Sequence, residues 1–183
     1  MSLRHSVLGL LSIRPMSGYE LKKIIDSSVA HFWNADQSQV YRTLSALVEE
    51  GLAARRTVVQ EERPNLHIHS LTDSGLAELD RWLASPLRTP PSRDPFLARL
   101  FFADRLPMER IRELLDARRK EVGEALAALE TIRDTTDPDE VPDEVSDLAR
   151  VLRMATLAYG IAHGRAELDW LDTTERNLKE LGT

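Results

Sequence analysis

The chain has 183 residues, of which 42% are hydrophobic and 30% are charged. This mixture excludes a disordered or fibrous protein and allows one ordinary domain or two small ones. The absence of cysteine excludes disulfides, a thiolate nucleophile and a cysteine-ligated zinc site. A formal charge of −6 argues against indiscriminate nucleic-acid binding, but residues 1–85 hold nine Lys/Arg against ten Asp/Glu and are nearly neutral.

The first fifteen residues, MSLRHSVLGLLSIRP, contain an apolar run that is too short to span a bilayer. No small-residue cleavage site follows this run. We interpret the segment as a first helix from Leu3 to Ile13, which Pro15 ends. We therefore expect a cytoplasmic protein that does not associate with membranes.

The segment MSGYELKKII predicts a second helix with a well-marked start. Ser17 and Glu20 have the spacing of a capping box, in which each side chain bonds to the backbone of the other residue. Leu21 begins an apolar stripe towards the core, which leaves Lys22 and Lys23 towards solvent. The helix is thus amphipathic, with a basic outer side.

A third helix is predicted to begin near Asp36 and to end before Gly51. The carboxylate of Asp36 can cap the first turn together with Gln39, and Gly51 is suited to the left-handed conformation that closes a helix. Its predicted core face consists of aliphatic residues at helical spacing: Val40, Leu44, Leu47 and Val48.

Two short β-prone runs follow, LAARRTVVQ and LHIHSL, separated by EERPN with its turn formers Pro64 and Asn65. Thr72 can then cap a fourth helix, which aligns three leucines on one side: Leu76, Leu79 and Leu83. The order helix, capped helix, helix, hairpin, helix predicts a winged helix-turn-helix with a two-stranded wing.

The outer side of the third helix carries side chains suited to reading DNA. Gln39, Arg42, Thr43 and Ala46 follow helical spacing opposite the core face, and Ser38 lies in the first turn. Glutamine can pair with adenine and arginine with guanine in the major groove. A second reading, a merely solvated face, stays open on the helix alone. The flanking elements add candidate DNA contacts at Lys22, Lys23, Arg63 and Asn65.

The stretches MSGYELKKII, FWNADQSQVYRTLSALVEEGLAARR and ERPNLHIHSLTDSG resemble the PadR family of transcriptional regulators. WLASPLRTPPSRDPFLARLFF resembles the start of that family's longer C-terminal domain. The resemblance implies a dimeric repressor with Tyr19 near the DNA-reading helix. It places on that helix Ser38, Gln39, Tyr41, Arg42 and Thr43. For Tyr41, packing against the first helix is the alternative to a phosphate contact.

The wing departs from the family pattern, because its second strand carries His67, His69 and Leu71 instead of basic or tyrosine residues. His67 and His69 have an acceptable spacing for two metal ligands, but no third ligand is evident, so we interpret them as histidines on the wing surface. No catalytic motif or phosphate-binding glycine loop is present. We expect neither an enzyme nor a cofactor.

The proline-rich stretch from Pro86 to Pro95 predicts a linker between a DNA-binding domain, 1–85, and a helical dimerisation domain, 86–183. A long helix from Met108 carries apolar residues in a seven-residue pattern. Arg118 breaks this pattern, because a charged side chain at a seam position needs a carboxylate partner or access to water. The seam predicted for this helix is Ile111, Leu115, Arg118, Val122, Ala125, Leu129 and Ile132.

After the acidic breaker DTTDPDEVPDE, a last helix is predicted from about Val145. One side of it bears mostly small residues: Val145, Leu148, Leu152, Ala155, Tyr159, Ala162 and Ala166. That side can pack within one chain or form a homodimer, and dimerisation is favoured because it lets a small protein read a pseudo-palindromic operator in double-stranded DNA. Five aromatic residues are candidates for a small-molecule effector pocket or plain core: Phe96, Phe101, Phe102, Tyr159 and Trp170.

The leading hypothesis is a repressor that an effector releases from its operator. The alternative is a winged-helix module that binds other proteins and not DNA.

Overall fold

The computed structural model describes residues 3–26, 35–59, 65–87, 93–135 and 146–181. The chain divides into two compact units, Met1–Thr89 and Pro90–Thr183. The first unit contains α1 (Leu3–Leu11), β1 (Met16–Ser17), α2 (Gly18–Ile24), α3 (Gln37–Glu49), β2 (Ala53–Val58), β3 (Leu66–Leu71) and α4 (Asp73–Ala84). The second contains α5 (Pro95–Phe101), a 3₁₀ turn (Ala103–Arg105), α6 (Met108–Thr135) and α7 (Asp147–Leu181). The predicted mainly α, winged-helix class is confirmed.

The helix starts of the first unit follow the capping signals in the sequence. Ser17 Oγ accepts a hydrogen bond from the Glu20 N–H at 3.2 Å, and Glu20 Oε2 accepts one from the Ser17 N–H at 2.8 Å. The backbone bond from Ser17 is the main reason why the pKa of Glu20 is lowered. Thr72 Oγ1 caps α4 by accepting a bond from the Gly75 N–H at 3.1 Å. These predicted capping interactions are confirmed.

The core of the first unit joins all four of its helices to the sheet. Met16 of β1 and Leu21 of α2 are both buried. The first helix ends at Leu11 and not at Ile13, which is largely exposed. On α4, Leu79 is buried while Leu76 and Leu83 stay exposed. The largest fully buried side chains here are Leu8, Met16, Leu21, Ile25, Leu44 and Leu47.

The wing belongs to a three-stranded antiparallel sheet of order β1-β3-β2, and the third strand was not predicted. β1 covers β3 by pairing Met16 with His69, and His69 therefore lies buried on the core side of the sheet. The prediction of a surface histidine at position 69 is wrong. Burial lowers the pKa of His69, and the charges of Arg55 and His67 lower it further. His67 is exposed, with its Nδ1 3.1 Å from Thr57 Oγ1.

In the second unit, α6 and α7 pack as an antiparallel pair. Arg118 lies opposite Glu167, and Arg165 opposite Glu130, which fixes the opposed directions of the two helices. The predicted carboxylate partner for Arg118 is therefore confirmed. The buried residues of α6 are Ile111, Leu115, Val122, Leu126 and Leu129. Leu126 replaces the predicted Ala125, because an ideal helix drifts away from a strict seven-residue repeat by about 20° in each heptad.

The five aromatic residues that were candidates for an effector pocket or plain core form three separate contacts within one chain. Phe96 packs edge-to-face on Trp170, with ring centroids 6.2 Å apart, and Arg118 covers the Phe96 ring at 5.5 Å. Phe101 and Phe102 pair with each other and are mostly exposed, and Tyr159 stacks on the nearby His163 ring. Within one copy of the chain, these side chains therefore do not line a common pocket.

Several predicted features lie outside the described residues, namely most of the hairpin tip with Arg63, the central part of the linker, and Val145 with most of the acidic breaker. Within the described ranges, no helix combines the length and apolarity that a membrane span requires. The same ranges hold no group of three or more His, Asp or Glu side chains placed to bind a metal ion.

Candidate nucleic-acid interface

The start of α3 is held by a network of its own side chains. Asp36 Oδ1 accepts hydrogen bonds from the Gln39 N–H and from Ser38 Oγ, each at 2.7 Å. In return, Gln39 Oε1 accepts a bond from the Asp36 N–H at 3.0 Å. The Ser38 bond, followed by the Gln39 N–H, lowers the pKa of Asp36. These bonds cap the first turn of α3. At the other end, Gly51 has a φ of 73° and follows the helix in the left-handed conformation, as predicted.

One side of α3 is exposed and carries no acidic residue until Glu49, in its last turn. We call this set the polar face of α3: Ser38, Gln39, Tyr41, Arg42 and Ser45. Two residues predicted to share it, Thr43 and Ala46, are only half-exposed. Compared with the predicted face, the exposed side of α3 is therefore rotated towards Ser45. The sequence interpretation missed Ser45, although it lies seven residues, about two helical turns, after Ser38 on the same side. Val40, Leu44 and Leu47 are buried on the opposite side.

Arg42 is the strongest hydrogen-bond donor of the polar face. Its Nε donates to the Ser38 carbonyl at 3.3 Å, and its terminal NH2 donates to Ser38 Oγ at 3.1 Å. Among the described residues no carboxylate forms a salt bridge with Arg42. Its charge and remaining N–H groups are thus available to an acceptor outside the chain, and a guanidinium offers two parallel donors.

Tyr41 joins α3 to the start of α2. A Cβ on Gly18 would lie 2.6 Å from Tyr41 Cε1, so the absence of a side chain at Gly18 allows this close approach. Tyr41 therefore packs against the second helix, where the sequence interpretation offered the first. Tyr41 stays 43% exposed, and Tyr19, next to Gly18 in the chain, is 67% exposed. The two phenols lie on neighbouring elements and both reach solvent.

The two lysines of α2 differ in their surroundings. Lys22 forms an ion pair with Asp26 one turn later on the same segment, which offsets its charge. Lys23 is exposed and has no ion-pair partner within the described ranges. Of the two predicted phosphate contacts, Lys23 is thus the better placed electrostatically.

The wing carries two cations that the sequence interpretation missed. Arg55 and Arg56 are exposed on β2, facing opposite sides of the ribbon. Asn65 is exposed where β3 begins. Adjacent arginines in a β-prone run were the available signal, because a strand presents one of them on each face. The positive charge of the described wing therefore lies on its first strand.

A capped helix pair, an outward polar helix and an antiparallel wing define a winged-helix transcriptional regulator. Residues 7–81 match the transcriptional regulator PadR-like family, and residues 92–179 match the virulence activator alpha C-terminal family. The probable transcriptional regulator Rv1176c of Mycobacterium tuberculosis is 31% identical over 98% of this chain and 99% of its own length. The chain belongs to the PadR-like family of transcriptional regulators.

Three further matches are to Bacillus subtilis PadR, described as a negative transcriptional regulator. It is 28% identical over 74% of this chain and 78% of its own. Its structure in complex with operator DNA covers 96% of this chain and 98% of its own, with 24% identity and a TM-score of 0.78. A second structure, in complex with p-coumaric acid, covers 97% and 95%, with 23% identity and a TM-score of 0.71. At these identities the structures support the fold.

Proposed function

We propose that this chain is a cytoplasmic, homodimeric repressor that places α3 in the major groove of a pseudo-palindromic operator. The observation that carries the proposal is the polar face of α3, which is exposed and rich in hydrogen-bond donors while the aliphatic side is buried in the core. A recognition helix needs this separation, because base edges are read by side chains that project away from the domain.

Arg42 is assigned to base reading, with its guanidinium donating to O6 and N7 of a guanine. Gln39 is assigned a narrower role than the sequence suggested. Its Oε1 already accepts the Asp36 N–H, so its amide group reads DNA as a donor while the cap is intact. Ser38 and Thr43 contribute shorter contacts at the edges of the same helix.

Contacts to phosphate hold the helix in register. Lys23, Tyr19 and Tyr41 are assigned to the DNA backbone, with Lys22 contributing less because Asp26 competes for its charge. On the wing, Arg55 and Arg56 join the predicted Asn65 and Arg63. Phosphate contacts of this kind raise affinity for every sequence, whereas Arg42 selects among sequences.

The homodimer is assigned to α7. Exposed residues recur along it at alternating spacings of four and three, the repeat of a helix-helix seam: Leu148, Leu152, Ala155, Tyr159, Ala162 and Ala166. The intramolecular contact with α6 uses a different set, including Leu157, Ile161 and Leu171. An uncovered apolar stripe of this length supports pairing with a second copy.

Residues 1–85 are thus assigned to DNA binding and residues 86–183 to dimerisation. Repression is favoured because the related B. subtilis protein is a negative regulator. That protein is also known with p-coumaric acid, which supports control of this chain by a small-molecule effector. An effector can act only by binding two conformations of the dimer unequally.

The test is selection of duplexes by the purified full-length chain from a random-sequence library. We expect enrichment of an inverted repeat whose half-site centres lie about one helical turn, roughly 10 base pairs, apart or a multiple of it. Enrichment of a site without an inverted repeat would contradict binding of DNA as a homodimer. No enrichment at low salt would contradict DNA reading itself and favour a module that binds other proteins.

A further inference from the structure

Ser38, in the first turn of α3, binds the side chain of Arg42 through two acceptors. The Ser38 carbonyl oxygen accepts a hydrogen bond from Arg42 Nε at 3.3 Å, and Ser38 Oγ accepts one from Nη2 at 3.1 Å. The two residues are four positions apart and therefore lie on the same side of the helix. Two bonds to one planar group restrict its orientation more than a single bond does.

The hydroxyl of Ser38 is itself oriented by the helix cap. Ser38 Oγ donates a hydrogen bond to Asp36 Oδ1 at 2.7 Å. That bond is the largest of the effects that lower the pKa of Asp36, so the carboxyl group is ionised at neutral pH and can only accept. The single hydroxyl proton of Ser38 is thus committed to Asp36, and its lone pairs are left to accept from Arg42.

Ser38 occupies one edge of the Arg42 guanidinium. The Nε–H and one N–H of Nη2 form the edge that faces Ser38. The end of the group, formed by Nη1 and the second N–H of Nη2, carries another pair of parallel donors, which matches O6 and N7 of a guanine. The two acceptors on Ser38 are uncharged, so they orient the group without forming the ion pair that would offset its charge.

We propose that Ser38 is a positioning residue that presents the Nη1–Nη2 end of Arg42 to a guanine and so determines how strongly this base is selected. The inference rests on the proposed reading of DNA by α3. An arginine that is already held in its binding orientation loses less conformational entropy when it meets the base. Ser38 therefore acts on guanine selection through Arg42, beyond any contact that it makes itself.

Rotation of the guanidinium, in the full-length protein without DNA, is the first measurement. NMR follows the rate at which Nη1 and Nη2 exchange places by rotation about the Nε–Cζ bond, and Arg42→Lys assigns the signal by removing it. Such rotation breaks the bond to Ser38 Oγ, so we expect it to be at least threefold faster in Ser38→Ala and to return to the wild-type rate in Ser38→Thr. The matched control is Ser45→Ala, the same change at another exposed serine of α3, which should leave the rate unchanged.

Guanine selection is the second measurement, made by fluorescence anisotropy at one salt concentration with the duplex that the wild-type chain selects. Each guanine of a half-site is replaced in turn by adenine, and the position read by Arg42 is the one at which Arg42→Ala abolishes the preference for guanine. Ser38→Ala should reduce that preference at least threefold and should change the preference at other positions less than twofold. Ser38→Thr should restore it, and Ser45→Ala should leave it intact.

An unchanged rotation rate or an unchanged guanine preference in Ser38→Ala, or an equal effect of Ser45→Ala, would overturn the proposal. A loss of preference that is the same at every position, or that is confined to a base pair other than the one read by Arg42, would also overturn it, because Ser38 would then act without Arg42. If the chain selected no duplex, the proposed function would fail, whereas the rotation rate would still decide whether Ser38 orients Arg42.

Discussion

Arg118 on α6 donates a hydrogen bond from Nε to Oε1 of Glu167 on α7, across a distance of 2.7 Å. Both side chains are mostly buried, at 23% and 17% exposed. The hydrogen bond that Glu167 accepts raises the pKa of Arg118 most, and the charge of Glu167 and the contact with Glu121 raise it further, against the opposing effect of burial. The carboxylates of Glu167 and Glu121 thereby compensate the positive charge of Arg118 between the two helices.

Glu167→Gln should lower the free energy of unfolding by about 1–2 kcal/mol, because it removes the largely buried carboxylate that pairs with Arg118 and leaves only the exposed Glu121, 3.1 Å away, as its counter-charge. The exposed pair Lys120 and Glu124 on α6, 3.9 Å apart, offers a control. Glu124→Gln should cost less than about 0.5 kcal/mol. Urea denaturation at one fixed protein concentration measures both, and equal costs would show that the inner pair is energetically no different from a surface pair.

Gly75→Ala should destabilise the first unit by about 2–3 kcal/mol, because an added methyl overpacks a closed contact. A Cβ at this position would lie 2.0 Å from the Leu52 carbonyl oxygen, where backbone must move to make room. Gly9→Ala in α1 is the matched change, since nothing lies within 4 Å of its Cβ. It should stabilise by up to about 1 kcal/mol through helix propensity. Thermal or urea unfolding that ranks the two variants in the reverse order would contradict the packing at Gly75.

The buried His69 predicts a pH dependence of stability. Its pKa is lowered in the folded state, so the unfolded chain binds a proton more readily. Stability is therefore fully present above the unfolded pKa, about 6.5, and falls as the pH drops below it. His69→Leu should remove this part of the loss between pH 7 and 5.5, whereas His67→Gln, at the exposed histidine of the same strand, should retain it. Parallel pH profiles for wild type and His69→Leu would argue against a buried, neutral ring.

Leu152→Glu should weaken the homodimer at least a hundredfold without unfolding the chain, because Leu152 is 58% exposed in one copy and central in the α7 stripe. Leu181→Glu makes the same change at an 81% exposed residue beyond that stripe. Sedimentation velocity across a concentration series compares them. If Leu152→Glu remained as dimeric as Leu181→Glu, the dimer interface would lie outside the α7 stripe.

Local sequence motifs predicted most of the fold. Ser17 with Glu20, and Asp36 with Gln39, marked helix starts because each motif acts over four residues and needs no partner from elsewhere. The strand Met16–Ser17 was missed because two residues become a strand only by pairing with β3, about fifty positions away. That same pairing buries His69, so its environment was also beyond a local pattern.

The candidate site was predicted in part for the same reason. Helical spacing identified the residues of α3 but placed the centre of its outer face near Thr43, whereas packing exposes Ser45. The angle at which a helix meets its core depends on the neighbours, here including the contact of Tyr41 with Gly18. The sequence interpretation placed the wing contacts at the hairpin tip, with Arg63 and Asn65, and therefore missed Arg55 and Arg56 on the first strand of the wing.

The most direct test of DNA reading by α3 is the affinity of Arg42→Ala for the duplex that the wild-type chain selects, measured by fluorescence anisotropy at one salt concentration. Because Arg42 is exposed, the variant should fold normally, and loss of a bidentate base contact should cost about 1–3 kcal/mol, or roughly 5- to 150-fold in affinity. Binding to a scrambled duplex should weaken far less. Arg112→Ala in the second unit is the control for lost charge and should bind both duplexes like the wild type. Unchanged operator affinity in Arg42→Ala, or equal losses on the two duplexes, would contradict base reading by this residue.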